Sequence, residues 1–384
     1  MNQKIRVLHV QLLPLLTGAQ NTMLHLIKNL DPEKFEFSVV SAPGNPLEDK
    51  LKELQVSHYT IAELHRNIHI KDAIVLYKLY RLCRWGKFDI VHTHSSKTGF
   101  LGRIAAKLAG IRGIIHTVQG FPFHPYQKKV EFIFYRILEK IATYFCDRII
   151  SVNRYEYEMA ISSNFIQKNK IGFIHNAVEP VPLHFQNHSE NLRIRSKLGF
   201  SAEDIIVGSV SRFTVPKNNL ILVDIALSIV QQNEKIKFIF LGDGKDLQEA
   251  RVRVIAAKCH DKILLPGFQH NVPNWLKIFD IFILYSSWEG LPLSILEAMS
   301  FGKPIIASNI KGNNELVENG VNGILIEIGD YDGVKKAIFW LATRGDIREK
   351  MGKKSSEIVK ERFSFSRFLK KYEAEYYRLY ERGK

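Results

Sequence analysis

The sequence predicts an α/β protein built from two doubly wound, parallel-sheet domains. Three observations lead there. The chain has 384 residues, more than one ordinary hydrophobic core holds together. Each half alternates short apolar runs of strand length with longer segments of helical period, the pattern of repeated βαβ units. Between the halves, residues 179–191 carry prolines, histidines and asparagines without any apolar period and read as a linker. The expected organisation is a first domain over 1–178, the linker over 179–191, a second domain over 192–362 and a last helix over 363–384.

In the first half the apolar runs place strands near 5–10, 35–41, 90–94, 113–117, 148–152 and 170–174. Helical spacing places helices near 21–30, 47–54, 72–85, 99–109, 128–145 and 155–161. The second half opens with a strand near 205–211, followed by strands near 237–241, 263–265, 281–285, 304–307 and 323–326. Its last helices fall near 347–360 and 366–380. Doubly wound domains hold ligands at the carboxyl ends of their strands, so a cleft between the two is the expected site.

Composition narrows the class. Apolar residues make up 46% of the chain, as in a folded globular protein. No run of 18 apolar residues occurs, so no membrane-spanning helix is expected. The first residues read as a strand and a Gly-containing loop, not as a signal peptide. Cys83, Cys146 and Cys259 lack metal-type spacing, and their odd number argues against a disulfide framework. A cytoplasmic, reduced protein is the simplest expectation. The formal charge of +15 favours anionic partners, but no zinc-finger spacing, RNP-type strand or basic zipper points to nucleic acid. Residues 126–140 mix lysine, arginine and aromatics at helical spacing. They read either as a core-packed helix with a solvated basic face or as a helix lying on anionic lipid headgroups.

The densest chemistry lies in residues 286–302. A buried strand leads through Glu289-Gly290-Leu291-Pro292 into a helix where Leu293, Leu296 and Met299 recur at helical spacing. Strand, Gly-containing loop and helix start together aim backbone N–H groups at one point, which suits a phosphate or a polyhydroxylated ligand. Ser294 and Glu297 also match a capping box, so Glu297 has a purely structural alternative. After the first strand of the second half, Arg212 and Lys217 stand on a Pro-containing loop where two cations neutralise a pyrophosphate, or are ordinary surface cations. Gly242-Asp243-Gly244 and Pro266-Gly267-Phe268 are glycine turns after strands, each meeting a ligand or simply turning. In the first half, Gly18 lies on the loop that leaves the first strand and runs into a helix, where it would let backbone approach a phosphate. The full G-x-G-x-x-G fingerprint is missing, which disfavours a nicotinamide enzyme.

In order and spacing these segments resemble the bacterial group 4 family of retaining glycosyltransferases with the GT-B fold, which build capsule, exopolysaccharide and lipopolysaccharide chains. The motifs are Arg212 to Lys217, Leu241-Gly242-Asp243-Gly244, Leu265-Pro266-Gly267-Phe268, Glu289 to Glu297, and Gly312 to Glu315. Asp89-Ile90-Val91-His92-Thr93-His94-Ser95-Ser96-Lys97 and Asn176-Ala177-Val178-Glu179 extend the resemblance across the first half.

The resemblance implies a nucleotide-sugar donor, with a UDP-sugar expected, and a polyprenyl-diphosphate-linked saccharide acceptor at an anionic inner-membrane face. It implies that Arg212 and Lys217 clamp the donor diphosphate, that Glu289 faces the donor sugar, and that Glu297 binds ribose hydroxyls. Gly290, Leu291, Pro292 and Leu293 would offer backbone to the donor, Gly267 and Phe268 would meet the base, and Gly18 and Gln119 would complete donor binding. His94, Ser95 and Lys97 follow a strand and are the expected acceptor contacts, although lone histidines on strands more often serve the core. The leaving diphosphate would act as the base, with retention of configuration, no metal and no other cofactor. The last helix would cross back to the first domain. A nucleotide-sugar epimerase, a soluble glycan synthase and a non-catalytic nucleotide-binding protein are the alternatives. Two departures stand out: Thr17-Gly18 replaces the family's Gly-Gly, and Gln119 stands where members often carry histidine. Glutamine hydrogen-bonds a hydroxyl but is no general base, and His116 nearby reads as a core residue.

Overall fold

The computed structural model describes residues 3–123, 127–181 and 188–382. Residues 182–187 of the expected linker, and Tyr126 at the head of the basic aromatic segment, lie outside them. The chain divides into two compact units, Met1–Asn176 with Ser366–Lys384, and Ala177–Phe365.

The first unit runs β1 (Ile5–Val10), α1 (Gly18–Asn29), β2 (Phe35–Ser41), α2 (Leu47–Glu53), β3 (Ser57–Thr60), α3 (Asp72–Trp85), β4 (Ile90–His94), α4 (Ser96–Leu108), β5 (Gly113–Val118), α5 (Lys129–Ala142), β6 (Arg148–Ser151), α6 (Arg154–Ser162) and β7 (Ile171–Phe173). Its strands pair in parallel in the order β3-β2-β1-β4-β5-β6-β7. The order reverses between β1 and β4. Right-handed crossovers therefore put α1 and α2 on one face and α3, α4, α5 and α6 on the other. The two cores agree with this. Leu8, Val10 and Val91 pack with Val75 and Leu79 of α3 and Ala105 of α4. Val39 packs with Met23 and Ile27 of α1 and Leu47 of α2. Strand β3 has no counterpart in the sequence reading, because an edge strand with exposed Ser57, Tyr59 and Thr60 presents no apolar run.

The second unit runs α7 (His188–Lys197), β8 (Ile205–Val210), α8 (Asn219–Val230), β9 (Ile236–Leu241), α9 (Leu247–Ala256), β10 (Ile263–Gly267), α10 (Val272–Leu276), β11 (Ile281–Leu284), α11 (Leu293–Ser300), β12 (Ile305–Ser308), β13 (Gly323–Ile326), α12 (Tyr331–Ala342) and α13 (Gly345–Arg362). Helix α7 begins inside the segment expected to be linker. The strand order is β10-β9-β8-β11-β12-β13, the order of a dinucleotide-binding domain, with its reversal between β8 and β11.

The last helix, α14 (Phe365–Arg382), belongs to the first unit. Strand alternation explains what receives it. Leu8, Val10 and Val91 point to the α3–α4 side, so His9, His92 and His94 point to the other. There Tyr376 Oη lies 2.7 Å from His92 Nδ1, Thr117 Oγ1 lies 2.8 Å from His92 Nε2, and Tyr372 Oη lies 3.0 Å from Thr117 Oγ1. His9 Nδ1 lies 3.0 Å from His94 Nε2. On the rim, Arg148 holds Glu375 with N···O contacts of 2.6 and 3.0 Å.

The three histidines are buried. Desolvation holds His9 and His92 well below the usual histidine range and brings His94 to about 3. The unfolded chain therefore takes up protons first as the pH falls below about 6.5. The stability these groups contribute is present above that pH and lost below it, by up to about 1.4 kcal/mol per pH unit for each group. Urea unfolding should show the midpoint falling from pH 7.5 to pH 5.5. His94→Gln should remove about one proton's share of that slope.

Candidate donor site in the second unit

The site forms where the sheet order reverses. Strand β8 delivers the loop from Ser211 to Asn218, and β11 delivers the loop from Tyr285 to Pro292. In the first loop Val215–Lys217 form a single 3-10 turn, and Asn218 follows with φ +52°, a conformation that asparagine tolerates better than most side chains. Asn218 Nδ2 donates to Tyr285 O at 3.0 Å and to Ser287 Oγ at 2.8 Å. The Ser287 N–H donates to Pro216 O at 2.8 Å. The two loops are thereby stitched together, and across the stitch Lys217 Nζ forms an ion pair with Glu289 Oε1. The side chains are 19% and 9% exposed, so the pair is shielded from most of the solvent.

Arg212 is positioned by backbone. Asn219 Nδ2 donates to Arg212 O at 2.9 Å, and the Phe213 N–H donates to Asp243 O at 2.9 Å. Gly242 has φ +136°, and a Cβ there would run into the carbonyl oxygen of Ser211. The glycine turn after β9 thus seats the Arg212 loop. Gly267 ends β10 at φ +81° and accepts the Gly242 N–H at 3.0 Å. Phe268 beside it is 41% exposed and packs edge-on against His270.

Helix α11 begins after Pro292, so Ser294 is not its cap and the capping-box reading of Glu297 fails. Pro292 itself is the N-cap, one position earlier than its expected place inside the helix. Gly290, Leu291, Pro292 and Leu293 are all buried, and the first N–H groups of α11 have no partner within the helix. Glu297 lies one turn in. Burial alone pushes its carboxyl up to about 7, with no opposing charge or hydrogen bond acting on it among the described residues. Below this turn, Asn313 Nδ2 donates to Ser308 O at 2.9 Å, and Ser308 Oγ donates to Ser286 O at 2.5 Å. Gly312 lies so close that a Cβ would strike the carbonyl oxygens of Gly290 and Glu289. The sequence reading left Asn218, Ser308 and Asn313 without a role. The only local signal was asparagine beside a turn.

The first unit gathers the other expected residues less evenly. Thr22 Oγ1 donates to Gly18 O at 2.9 Å and to Asn176 Oδ1 at 3.3 Å, and Asn176 Nδ2 donates to Gln119 Oε1 at 3.0 Å. Gln119 Nε2 is buried with no partner among the described residues. Two acceptor expectations change. His94 is 0% exposed, set against His9 in the layer beneath α14, so a solvent-borne acceptor does not reach it. Lys97 Nζ pairs with Asp72 Oδ1 at 2.6 Å and donates to Asn67 O at 2.5 Å, so its charge is already compensated. Ser95 keeps partial exposure and caps α4 at φ +61°, a strained backbone for serine. His116 is buried on the α4 side, 2.9 Å from Thr93 Oγ1. Among the described residues, the one His, Cys, Asp and Glu grouping compact enough for a metal is His9, His92 and His94, with ligand atoms within 4.8 Å. Both His92 nitrogens there already meet Tyr376 and Thr117.

The comparisons with known proteins bear on this geometry. The family described as "Glycosyl transferases group 1" matches residues 190–357, and "Glycosyltransferase Family 4" matches residues 16–181. The UDP-Gal:alpha-D-GlcNAc-diphosphoundecaprenol alpha-1,3-galactosyltransferase of Escherichia coli is 37% identical over 341 residues, covering 88% of each chain. The chain belongs to the group 4 glycosyltransferases. The putative glycosyltransferase EpsD of Bacillus subtilis (strain 168) is 26% identical over 73% of this glycosyltransferase and 74% of its own length. The crystal structure of Anabaena Alr3699/HepE in complex with UDP and glucose matches with a TM-score of 0.82 at 18% identity, over 96% of this chain and 98% of that one. The fold of this glycosyltransferase is GT-B.

Gly312→Ala tests the seat of the Glu289–Gly290 turn. The added methyl should push that turn aside and lower sugar transfer about tenfold or more, since small misplacements at a reacting centre are costly. Circular dichroism should report an unchanged fold.

Proposed function

We propose that this glycosyltransferase moves a hexose from a UDP-sugar to a saccharide carried on a polyprenyl diphosphate, with retention of anomeric configuration. The observation that carries the donor reading is the Lys217–Glu289 pair at the strand-order reversal, beside the start of α11. Lysine has three donors, so Lys217 can keep Glu289 and still hold a diphosphate oxygen, with Arg212 on the same loop. Glu289 then orients the donor sugar, the backbone of Gly290 to Leu293 lies against the diphosphate, and Glu297 accepts the ribose hydroxyls. Gly267 and Phe268 flank the base. In the first unit, Gln119 Nε2, buried with no partner among the described residues, is suited to a sugar hydroxyl, and Gly18 at the start of α1 to a phosphate.

Charge development on the leaving diphosphate is met by Arg212 and Lys217 without need of a metal. The diphosphate itself takes the acceptor proton, so a glutamine at 119 is compatible with turnover. The acceptor reading is supported by the name of the Escherichia coli relative, and its diphosphate suits a chain of net charge +15. We assign acceptor binding to the first domain and donor binding to the second. We infer a reaction at the cytoplasmic face of a bilayer, a reading supported by the lipid-diphosphate acceptor in the relative's name.

Transfer of labelled hexose from a panel of UDP-sugars to a synthetic saccharide-diphosphate lipid tests the reading directly. Product with an α linkage is expected. Transfer confined to a lipid-free acceptor, or an inverted product, would overturn it. Lys217→Ala and Arg212→Ala should each cut turnover by about a hundredfold or more, and near-normal turnover by either would remove the diphosphate clamp.

Glu297 gives a separate proton-linked test. Burial raises its carboxyl to about 7, so it is partly protonated near that pH. Ribose hydroxyls favour the ionised form, so UDP binding at pH 6.5 should release protons and tighten as the pH rises towards 8. Calorimetry in buffers of different ionisation heat reads this directly. Glu297→Gln should abolish the proton release. It should also stabilise the ligand-free protein at pH 8 but not at pH 5, because a raised carboxyl stabilises only while protonated.

A further inference from the structure

We propose that the α3–α4–α5 face of the first unit docks on an anionic lipid bilayer and that the outer stripe of α5 inserts into it. Helix α5 is built the opposite way to a helix facing water. Its inner side packs Phe132 and Tyr135 on the core and buries Glu139, which pairs with Arg103 of α4 at 2.8 Å. Its outer side carries Val130, Ile133, Phe134, Ile137 and Ile141, exposed by 80, 48, 47, 53 and 42%. Those positions follow the i, i+3, i+4, i+7, i+11 spacing of a single helix face. Exposed Lys128, Lys129 and Arg136 accompany this stripe, so the outward side is apolar as well as basic. Single exposed apolar residues are ordinary, but a continuous stripe marks a surface that something covers.

Charge identifies what covers it. Helix α4 packs against both α3 and α5, so the three form one layer. Residues 64–145, which contain that layer, hold 14 Lys and Arg against 4 Asp and Glu, or ten of the net fifteen positive charges of the whole chain. Helix α3 adds Ile74, Tyr77 and Trp85 to the exposed apolar set, and Ile68 and Ile70 precede it. The Arg81 guanidinium lies 5.9 Å from the Tyr77 ring centroid and 4.9 Å from that of Trp85. Aliphatic residues projecting outward, aromatic rings beside them and cations interleaved match the layers of a lipid surface: acyl chains, interface and phosphates. No helix of the described residues is long and apolar enough to cross a membrane, so the contact is with one leaflet. This face carries none of the donor-site residues, and its test stands apart from the sugar-transfer reading.

The test is co-sedimentation of the full chain with vesicles of phosphatidylglycerol and phosphatidylcholine, against phosphatidylcholine alone. The protein should pellet with the anionic vesicles only, and less well as salt rises. The triple variant Ile133→Ser, Phe134→Ser, Ile137→Ser should lower partitioning tenfold or more while keeping its unfolding midpoint and its thermal shift with UDP. In Phe134→Trp, the added emission should shift to the blue on anionic vesicles and be quenched by brominated acyl chains. Failure to pellet at low salt, or equal pelleting with neutral lipid, overturns the proposal. So does full binding by the triple variant, or emission from Phe134→Trp that vesicles leave unchanged. A dimer in solution that the triple variant abolishes, with no vesicle binding, would assign the stripe to a second copy instead.

Discussion

The second unit depends on one contact across two loops: the ion pair of Lys217 with Glu289. Removing two charges from water is costly, and such a pair persists only where geometry and neighbouring hydrogen bonds compensate. Here Asn218 and Ser287 supply those bonds, and the 3-10 turn places the ammonium before any ligand arrives. Everything else near it is support. Gly242 lets the Arg212 loop settle against β9, while Gly312 and Asn313 prop the Glu289 turn from below. Losing either partner would leave the other charge half-buried and the two loops free to part. The same pair that holds the two loops together presents a cation and an anion at their junction.

The site lies where the order β10-β9-β8-β11-β12-β13 reverses, so topology and chemistry agree without reference to any relative. Adjacent strands β8 and β11 leave the sheet towards helices on opposite faces, and the gap between their loops is open by construction. Helix α11 starts at that gap. Its Glu297 has a desolvated carboxyl with no charge or hydrogen bond opposing it among the described residues, an arrangement that costs stability unless a ligand completes it.

Much of this was legible in the residues. Buried parallel strands are near-continuous apolar runs, so Ile5–Val10, Phe35–Ser41 and Ile90–His94 fall where their hydrophobicity places them. Arg212, Lys217 and Glu289 stand out as charges just beyond such runs. What the sequence leaves open is pairing. Lys97 looks like a cation at a strand end, yet Asp72 had already claimed it from 25 positions upstream. His94 looks like a ligand, yet period-two alternation turns it towards α14. Helix α5 is apolar on two sides, and periodicity alone cannot tell which side meets the core. Edge strand β3 has no apolar signature to read at all.

The buried histidine layer has a consequence for how the molecule is made. The seven strands of the first unit are complete by Phe173, but the helix that covers His9, His92 and His94 is drawn from residues 365–382. Chains emerge from the ribosome amino end first, and domains usually close in that order. This one cannot. Its first sheet must wait with a polar, aromatic seam uncovered while nearly two hundred further residues are synthesised and the second unit assembles. The unit that starts first therefore waits for the second, and α14 acts as the closing stitch that makes synthesis of residues 365–382 a condition for a finished first half.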